Sequence, residues 1–308
     1  MKIALRISVE SYRGTREGVP RLLDLLNRLK VGASFLFSLG PDHTGRSIAQ
    51  GFSQASMYRA NHQKIIAHYG ASTLLYGTVL PAPEIGRRCS KVMLDTQTAG
   101  FETAIHCWNH RRWQHQIANA SASWTASEMN RAYRRYSEIF GSDCRGHGAP
   151  SWQMNIHALR LTQRLGYRWA SDCRGSHPFV PVWNGELIHC PQLPTTLPTL
   201  EELIGNDGIT SDNVHQHLMN LTASAQPSGH VFAIRVDPHD LRNEASLGNL
   251  LSGWLDQGHE VCSLNDLRDS MDFATLPRHE LTFRKVPGRA GLLLCQGEEF
   301  LSTWKDAA

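Results

Sequence analysis

The sequence predicts a single irregular α/β barrel. The chain opens on a strand-forming run at 2–9, followed by a leucine-rich helix and a second apolar strand at 31–38. Strand, helix, strand is the unit from which parallel sheets are built. The alternation continues along the chain with no linker, low-complexity tract or charge run to divide it. An open doubly wound sheet is the alternative, but no Gly-x-Gly-x-x-Gly follows the first strand to support a dinucleotide site.

After the first strand, Ser11-Tyr12-Arg13-Gly14-Thr15 reads as a turn, and Leu22, Leu23, Leu25, Leu26 and Leu29 give the next segment, 17–29, one apolar face. Thr15 is its N-cap candidate. Further strands are expected at 102–106, 143–147, 167–171, 231–236 and 260–263. Helices are expected between them at 126–140, 156–165, 211–222 and 247–257, with Gly258 as a C-cap. Residues 40–88 fit the alternation poorly. They combine Met57-Tyr58-Arg59 and His62-Gln63-Lys64 with an apolar run from Leu74 to Leu80, and a long insertion of this kind is usually functional or disordered.

Composition narrows the function. Hydrophobic residues make up 41% and charged residues 19%, as in an ordinary globular protein. Lys and Arg number 31 against 28 Asp and Glu, too even a balance for nucleic-acid binding, which needs a concentrated basic face. Seven cysteines without a Cys-x-x-Cys fit reduced thiols in a cytoplasmic protein better than a disulfide framework or a structural zinc site. No run approaches the roughly 20 apolar residues that span a bilayer, and the N-terminus reads as a strand instead of a signal peptide.

The strongest local signal is Ala104-Ile105-His106-Cys107-Trp108-Asn109-His110. Two histidines four apart, directly after an apolar strand, can converge on one ion at the strand's C-terminal end, where barrel enzymes keep their active sites. Among sixteen histidines a pair in a polar loop would leave the same trace, so context decides.

That context is a resemblance. His106-Cys107-Trp108-Asn109-His110 is similar to the His-x-x-x-His metal motif of NodB-like polysaccharide deacetylases. Five further segments line up in order with the group of 4-deoxy-4-formamido-L-arabinose-phosphoundecaprenol deformylases. They are Ser11-Tyr12-Arg13-Gly14-Thr15-Arg16-Glu17-Gly18-Val19-Pro20-Arg21, Phe37-Ser38-Leu39-Gly40-Pro41-Asp42, His147-Gly148-Ala149-Pro150-Ser151-Trp152-Gln153, Ser171-Asp172-Cys173-Arg174-Gly175 and Gln192-Leu193-Pro194-Thr195-Thr196-Leu197-Pro198-Thr199, with Glu201-Glu202-Leu203-Ile204-Gly205 behind it. The resemblance implies one NodB-type domain over 1–295, with the insertion at about 40–88 and a tail at 296–308. It implies metal-dependent amide hydrolysis with one zinc, manganese or cobalt ion per chain, held by Glu10, His106 and His110. The implied substrate is an undecaprenyl-phosphate-linked amino sugar of lipid A or envelope polysaccharide modification. It would be met from the cytoplasm at the peripheral inner-membrane surface. Arg13, Arg16 and Arg174 are candidate phosphate contacts, and Trp108 and Trp152 candidate stacking surfaces for a sugar.

The departures from the family fall at the chemistry. Members of the family carry Asp-x-Asp on the first strand, base then metal ligand; here the strand reads Ser8-Val9-Glu10. The late strand, where the family places its catalytic histidine, reads Ile234-Arg235-Val236-Asp237. A hydroxyl does not act as a base at neutral pH, and a guanidinium does not release a proton. Asn109 replaces an aspartate inside the histidine motif. Asp172, Asp237 and His239 are the candidate stand-ins. A general acid or base contributes about 10²–10⁴-fold each, so the resemblance carries two expectations. One is an amide hydrolase of impaired activity; the other is a non-catalytic relative that binds a glycolipid or a partner enzyme.

Overall fold

The computed structural model describes residues 1–45, 75–77, 79–236 and 244–301. Most of the 40–88 insertion, including Leu74, therefore lies outside the described residues, as do Asp237, Pro238 and His239.

The strands in chain order are β1 (Lys2–Val9), β2 (Ser34–Ser38), β3 (Glu102–Cys107), β4 (Gly146–His147), β5 (Trp169–Ala170), β6 (Val180–Trp183), β7 (Glu186–Leu187), β8 (His230–Arg235), β9 (Glu260–Cys262), β10 (Arg278–Arg284) and β11 (Leu293–Glu299). One parallel sheet runs β5-β4-β3-β2-β1-β8, with β9 also paired to the start of β1. Parallel strands covered on both faces read as near-continuous apolar runs, as β1 does. Its successive side chains alternate between faces. Ile3, Leu5, Ile7 and Val9 join the leucines of helix Val19–Leu29 in the outer core. Ala4 points the other way, into an inner cluster with Leu36, Ala104 and Val231. The same period places Arg6, Ser8 and, just past the strand, Glu10 on the inner side.

The inner face is tight where the site is built. A Cβ on Gly148 would stand 2.1 Å from Leu36 Cδ2 and about as close to Arg6 as a hydrogen bond, so only glycine admits both neighbours.

The gap between β5 and β8 is bridged by the irregular stretch 191–197. The Leu193 amide donates to Ala170, and the Thr196 and Leu197 amides both donate to Val231. Residues 194–197 are thus part of the stave that closes the barrel.

Two local expectations are corrected. Thr15 does not cap a helix; it is fully buried inside a π-helical turn, Gly14–Gly18, and its hydroxyl donates to the Ser11 carbonyl. Ser11 does the capping, its hydroxyl accepting from the Gly14 amide. The strand–helix alternation also stops after β9. Following helix Leu264–Asp269, β10 and β11 form an antiparallel hairpin that joins β6 and β7 in a second, four-stranded sheet. Because β11 runs to Glu299, ordered pairing continues past residue 295. Gly258 does end helix Glu244–Asp256 with a left-handed φ of 78°. Among the described residues no helix is long and apolar enough to cross a membrane.

Candidate metal centre and cavity

Glu10 leaves the C-terminal end of β1, His106 points inward from β3, and His110 opens helix His110–Gln116. Asn109 sets that helix. Its side-chain oxygen accepts from the Arg112 amide at 2.9 Å, while its amide nitrogen donates to the Pro41 carbonyl at 3.0 Å. The residue at this motif position is therefore an N-cap that also ties the motif to the loop after β2.

One ligating atom from each of Glu10, His106 and His110 lies within 4.8 Å of the other two. Glu10 Oε1 stands 3.5 Å from His106 Nε2, and Oε2 stands 3.2 Å from His110 Nε2. Both Nε2 atoms are buried and have no hydrogen-bond partner. At 2.5 Å, His106 Nδ1 faces the Gly148 carbonyl, which can only accept. That contact keeps the proton on Nδ1 and leaves the Nε2 lone pair facing the carboxylate. Burial lowers the affinity of both histidines for a second proton, against the opposing pull of Glu10, and His110 falls to about 3. Burial pushes the Glu10 carboxyl up, but His110, His106 and Arg235 outweigh it and hold it well below the usual carboxylate range. The Nε2 lone pair of His106, the unpartnered Nε2 of His110 and an ionised carboxylate thus face one another. This donor set fits a divalent cation.

A cavity of about 360 Å³ opens beside the three residues. Ser8 lines it, with its hydroxyl accepting from Arg6 Nη1 at 2.7 Å. Arg6 spans the barrel interior, donating also to the carbonyls of Ala149 and Ser171, and is 3% exposed. Burial pushes it down to about 10, so it stays protonated at neutral pH. Arg235 is the register partner of Ser8 on β8 and lies 3.8 Å from Glu201.

The sequence motifs do not point to Arg6 or Arg289, and they include Glu201 without giving it a role; all three line the cavity. Arg289 arrives on the loop between β10 and β11. It donates to Glu202 at 2.8 Å and to the Thr199 hydroxyl at 2.7 Å, and stands 3.4 Å from Glu201. Trp152 forms the facing wall. The guanidinium groups of Arg6, Arg174 and Arg289 sit 5.6, 5.0 and 5.1 Å from its ring centre. Ser151 and Trp152 are consecutive non-glycine residues at φ of 50° and 51°. Such backbone costs on the order of 1–3 kcal/mol per residue and concentrates at functional sites.

Several sequence candidates lie elsewhere. Asp172 is fully buried; Oδ1 accepts from His147 Nδ1 at 2.7 Å and the Ala149 amide at 2.8 Å, and Oδ2 faces the Gln192 amide. With both oxygens occupied and no place on the cavity wall, it holds His147 and the 148–150 turn and is not placed to act as the base. Arg13 and Arg16 pair with Glu17, and Arg174 pairs with Glu202 beneath Trp152; none of the three lines the cavity. Trp108 is buried under Arg131 and lines only a smaller hollow beside His43.

No family model matches the chain. Among curated proteins it is 32% identical to the probable 4-deoxy-4-formamido-L-arabinose-phosphoundecaprenol deformylase ArnD of Shewanella sediminis, over 95% of this chain and 93% of that one. It is 28% identical to the corresponding probable deformylase of Wigglesworthia glossinidia brevipalpis, over 92% of this chain and 98% of that one. Among solved structures, a candidate polysaccharide deacetylase from Mycobacterium smegmatis superposes with a TM-score of 0.60 at 15% identity. That match covers 92% of this chain and 95% of the other.

Proposed function

The chain belongs to the deformylase group of the NodB-like polysaccharide deacetylase superfamily, and on that premise we propose that it is a metal-dependent amide hydrolase of slow turnover. Its substrate in this reading is an undecaprenyl-phosphate-linked amino sugar, of the kind its ArnD relatives are named for, in lipid A or envelope polysaccharide modification. The enzyme would meet it at the cytoplasmic face of the inner membrane.

The observation that carries the reading is the trio of Glu10, His106 and His110, with two orphaned imidazole nitrogens turned on one ionised carboxylate. A divalent cation held there supplies polarisation of an acyl oxygen and acidification of water. The Gly148 carbonyl fixes the His106 tautomer that such an ion requires. Ser8 takes no proton, because its hydroxyl is neutral and occupied by Arg6. Arg235 can donate hydrogen bonds to an acyl or leaving group but cannot give up a proton. Among the described residues Glu201 is the cavity carboxylate outside the trio, which makes it a candidate base. Burial raises its proton affinity, yet Arg235 and Arg289 outweigh this and keep it below the usual range, which makes it a weak base. Slow proton transfer follows.

A second reading, a glycolipid-binding protein without catalysis, is favoured by the same occupied Ser8 and paired Arg235. Mass-spectrometric assay of amine release from formylated and acetylated amino-sugar glycolipids decides between them. Slow turnover that needs added metal and vanishes in His110→Ala is the expected result. No turnover at full metal load would leave the binding reading.

A further inference from the structure

We propose that His177 and His279 form a second cation site, apart from the cavity, which takes a late first-row divalent ion such as nickel or copper. The proposal does not depend on the hydrolase reading. His177 lies in the loop between β5 and β6, and His279 lies on β10. Pairing of β10 with β6 sets His279 beside Pro181 and brings together two rings that are 102 residues apart in the chain. Their centres stand 5.0 Å apart at an angle of 70°, and the two Nε2 atoms face each other at 3.1 Å.

Hydrogen bonds on the far side of each ring fix the protons. His279 Nδ1 faces the Gly297 carbonyl at 3.0 Å, which can only accept, so the proton sits on Nδ1 and Nε2 keeps its lone pair. For His177 the assignment runs through Gln296. The Ser176 amide donates to Gln296 Oε1 at 2.8 Å, so Nε2 is that side chain's donor, and it stands 3.0 Å from His177 Nε2. The Ser176 hydroxyl donates to the same Oε1 and is left to accept from His177 Nδ1 at 2.9 Å. Both rings are then neutral, and two lone pairs meet with one amide hydrogen beside them. A pair of acceptors short of a donor suits a cation.

The spacing suits a metal ion. Two nitrogens on one ion at about 2.0 Å stand about 2.8 Å apart at a right angle and about 3.3 Å apart at the tetrahedral angle. The 3.1 Å between these two lies inside that span. Imidazole favours the nickel, copper and zinc end of the divalent series. His279 is also held by Phe179, edge-on at 5.6 Å. Glu299 is its register partner, exposed on the same face of the hairpin, and its charge favours a cation at His177. An ion bound here displaces the Gln296 amide hydrogen and clamps the loop before β6 to the hairpin that carries Arg289 to the cavity. With two protein ligands against three, this site is weaker than the trio, so it empties on desalting and fills only in excess metal.

Equilibrium dialysis against excess nickel tests the site, with bound metal measured in wild type, His110→Ala, His177→Gln, His279→Gln and the His110→Ala/His177→Gln double variant. His110→Ala breaks the first site and isolates the pair, so it should still take one nickel per chain. The double variant should bind at least about 10-fold more weakly. Nickel should also raise the melting temperature of His110→Ala and leave that of the double variant unchanged, because an ion bound only to the folded chain stabilises it. Circular dichroism confirms that each variant is folded, and His279→Gln repeats the test from the other ring. No nickel in His110→Ala would mean that the two rings share a proton only, and overturns the site. Nickel still bound at full affinity in the double variant overturns it as well. The first site is read separately: a wild type that holds no more nickel than His110→Ala would sink the trio and leave the pair standing.

Discussion

At the scale of single residues, the positions on which the proposed chemistry turns share one inner row of β1. Ala4, Arg6, Ser8 and Glu10 follow each other at the strand's period of two, and Arg235 faces Ser8 across the register. Restoring Ser8→Asp together with Arg235→His should raise amide hydrolysis by about 10²-fold. The gain falls at the low end of the usual range because Arg6 Nη1, now 2.7 Å from the Ser8 hydroxyl, would pair with the new carboxylate and weaken it as a base. Steady-state assay of the double variant measures this, and no gain in a variant that still binds metal would show that the cavity has changed beyond these two groups. Glu201→Gln in the unaltered background should remove about 10²-fold of whatever turnover exists. The histidine pair was legible from its spacing, and Glu10 from its place after a strand. Arg6 was equally legible from periodicity, but motif matching does not ask what lies inside the strand. Arg289 was not, and Glu201 was legible only as part of a family segment, because only the folded chain brings 199–201 and 288–290 to the cavity.

At the scale of elements, the parts that escaped the sequence are those whose pattern is weakest. The stave at 191–197 holds Pro191 and Pro194, with Pro198 just after it, so it reads as a loop, and its pairing to Ala170 and Val231 is too irregular to form a named strand. β10 is Arg-His-Glu-Leu-Thr-Phe-Arg, mostly polar and only partly buried, and carries little periodic signal. At the other end of the barrel, Glu102 opens β3 beside the Trp169 indole and the Asn265 amide. Burial pushes its carboxyl up to about 7. A carboxyl raised on folding favours the folded state most below its unfolded pKa, and that advantage is lost as pH rises toward 7. Thermal melts should therefore show stability falling between about pH 4.5 and 7, by no more than about 1.4 kcal/mol per pH unit, with the slope reduced in Glu102→Gln. An unchanged slope would place the proton elsewhere. Leu75, Val79 and Leu80 are exposed on the described part of the insertion, at 42%, 77% and 41%. Changing all three to Ser should weaken sedimentation with anionic vesicles if this segment meets the membrane, since interfacial binding scales with apolar area. Equal sedimentation would count against it.

At the scale of the whole molecule, the parallel barrel was legible because β1, β2 and β8 are largely buried apolar runs and helix Val19–Leu29 carries one apolar face. The second sheet was not, and it matters: its β10–β11 hairpin delivers Arg289 to the cavity and is tied to Gln153, whose side chain donates to the Leu292 carbonyl. The ion that Glu10, His106 and His110 would hold is central to the proposed chemistry. Metal analysis of the purified protein tests it most directly, comparing wild type with His106→Ala and His110→Ala. One divalent ion per chain in the wild type, falling below about a tenth in either variant while the circular dichroism spectrum is retained, is the expected result. A wild-type protein that stays metal-free after incubation with zinc, manganese and cobalt would contradict it.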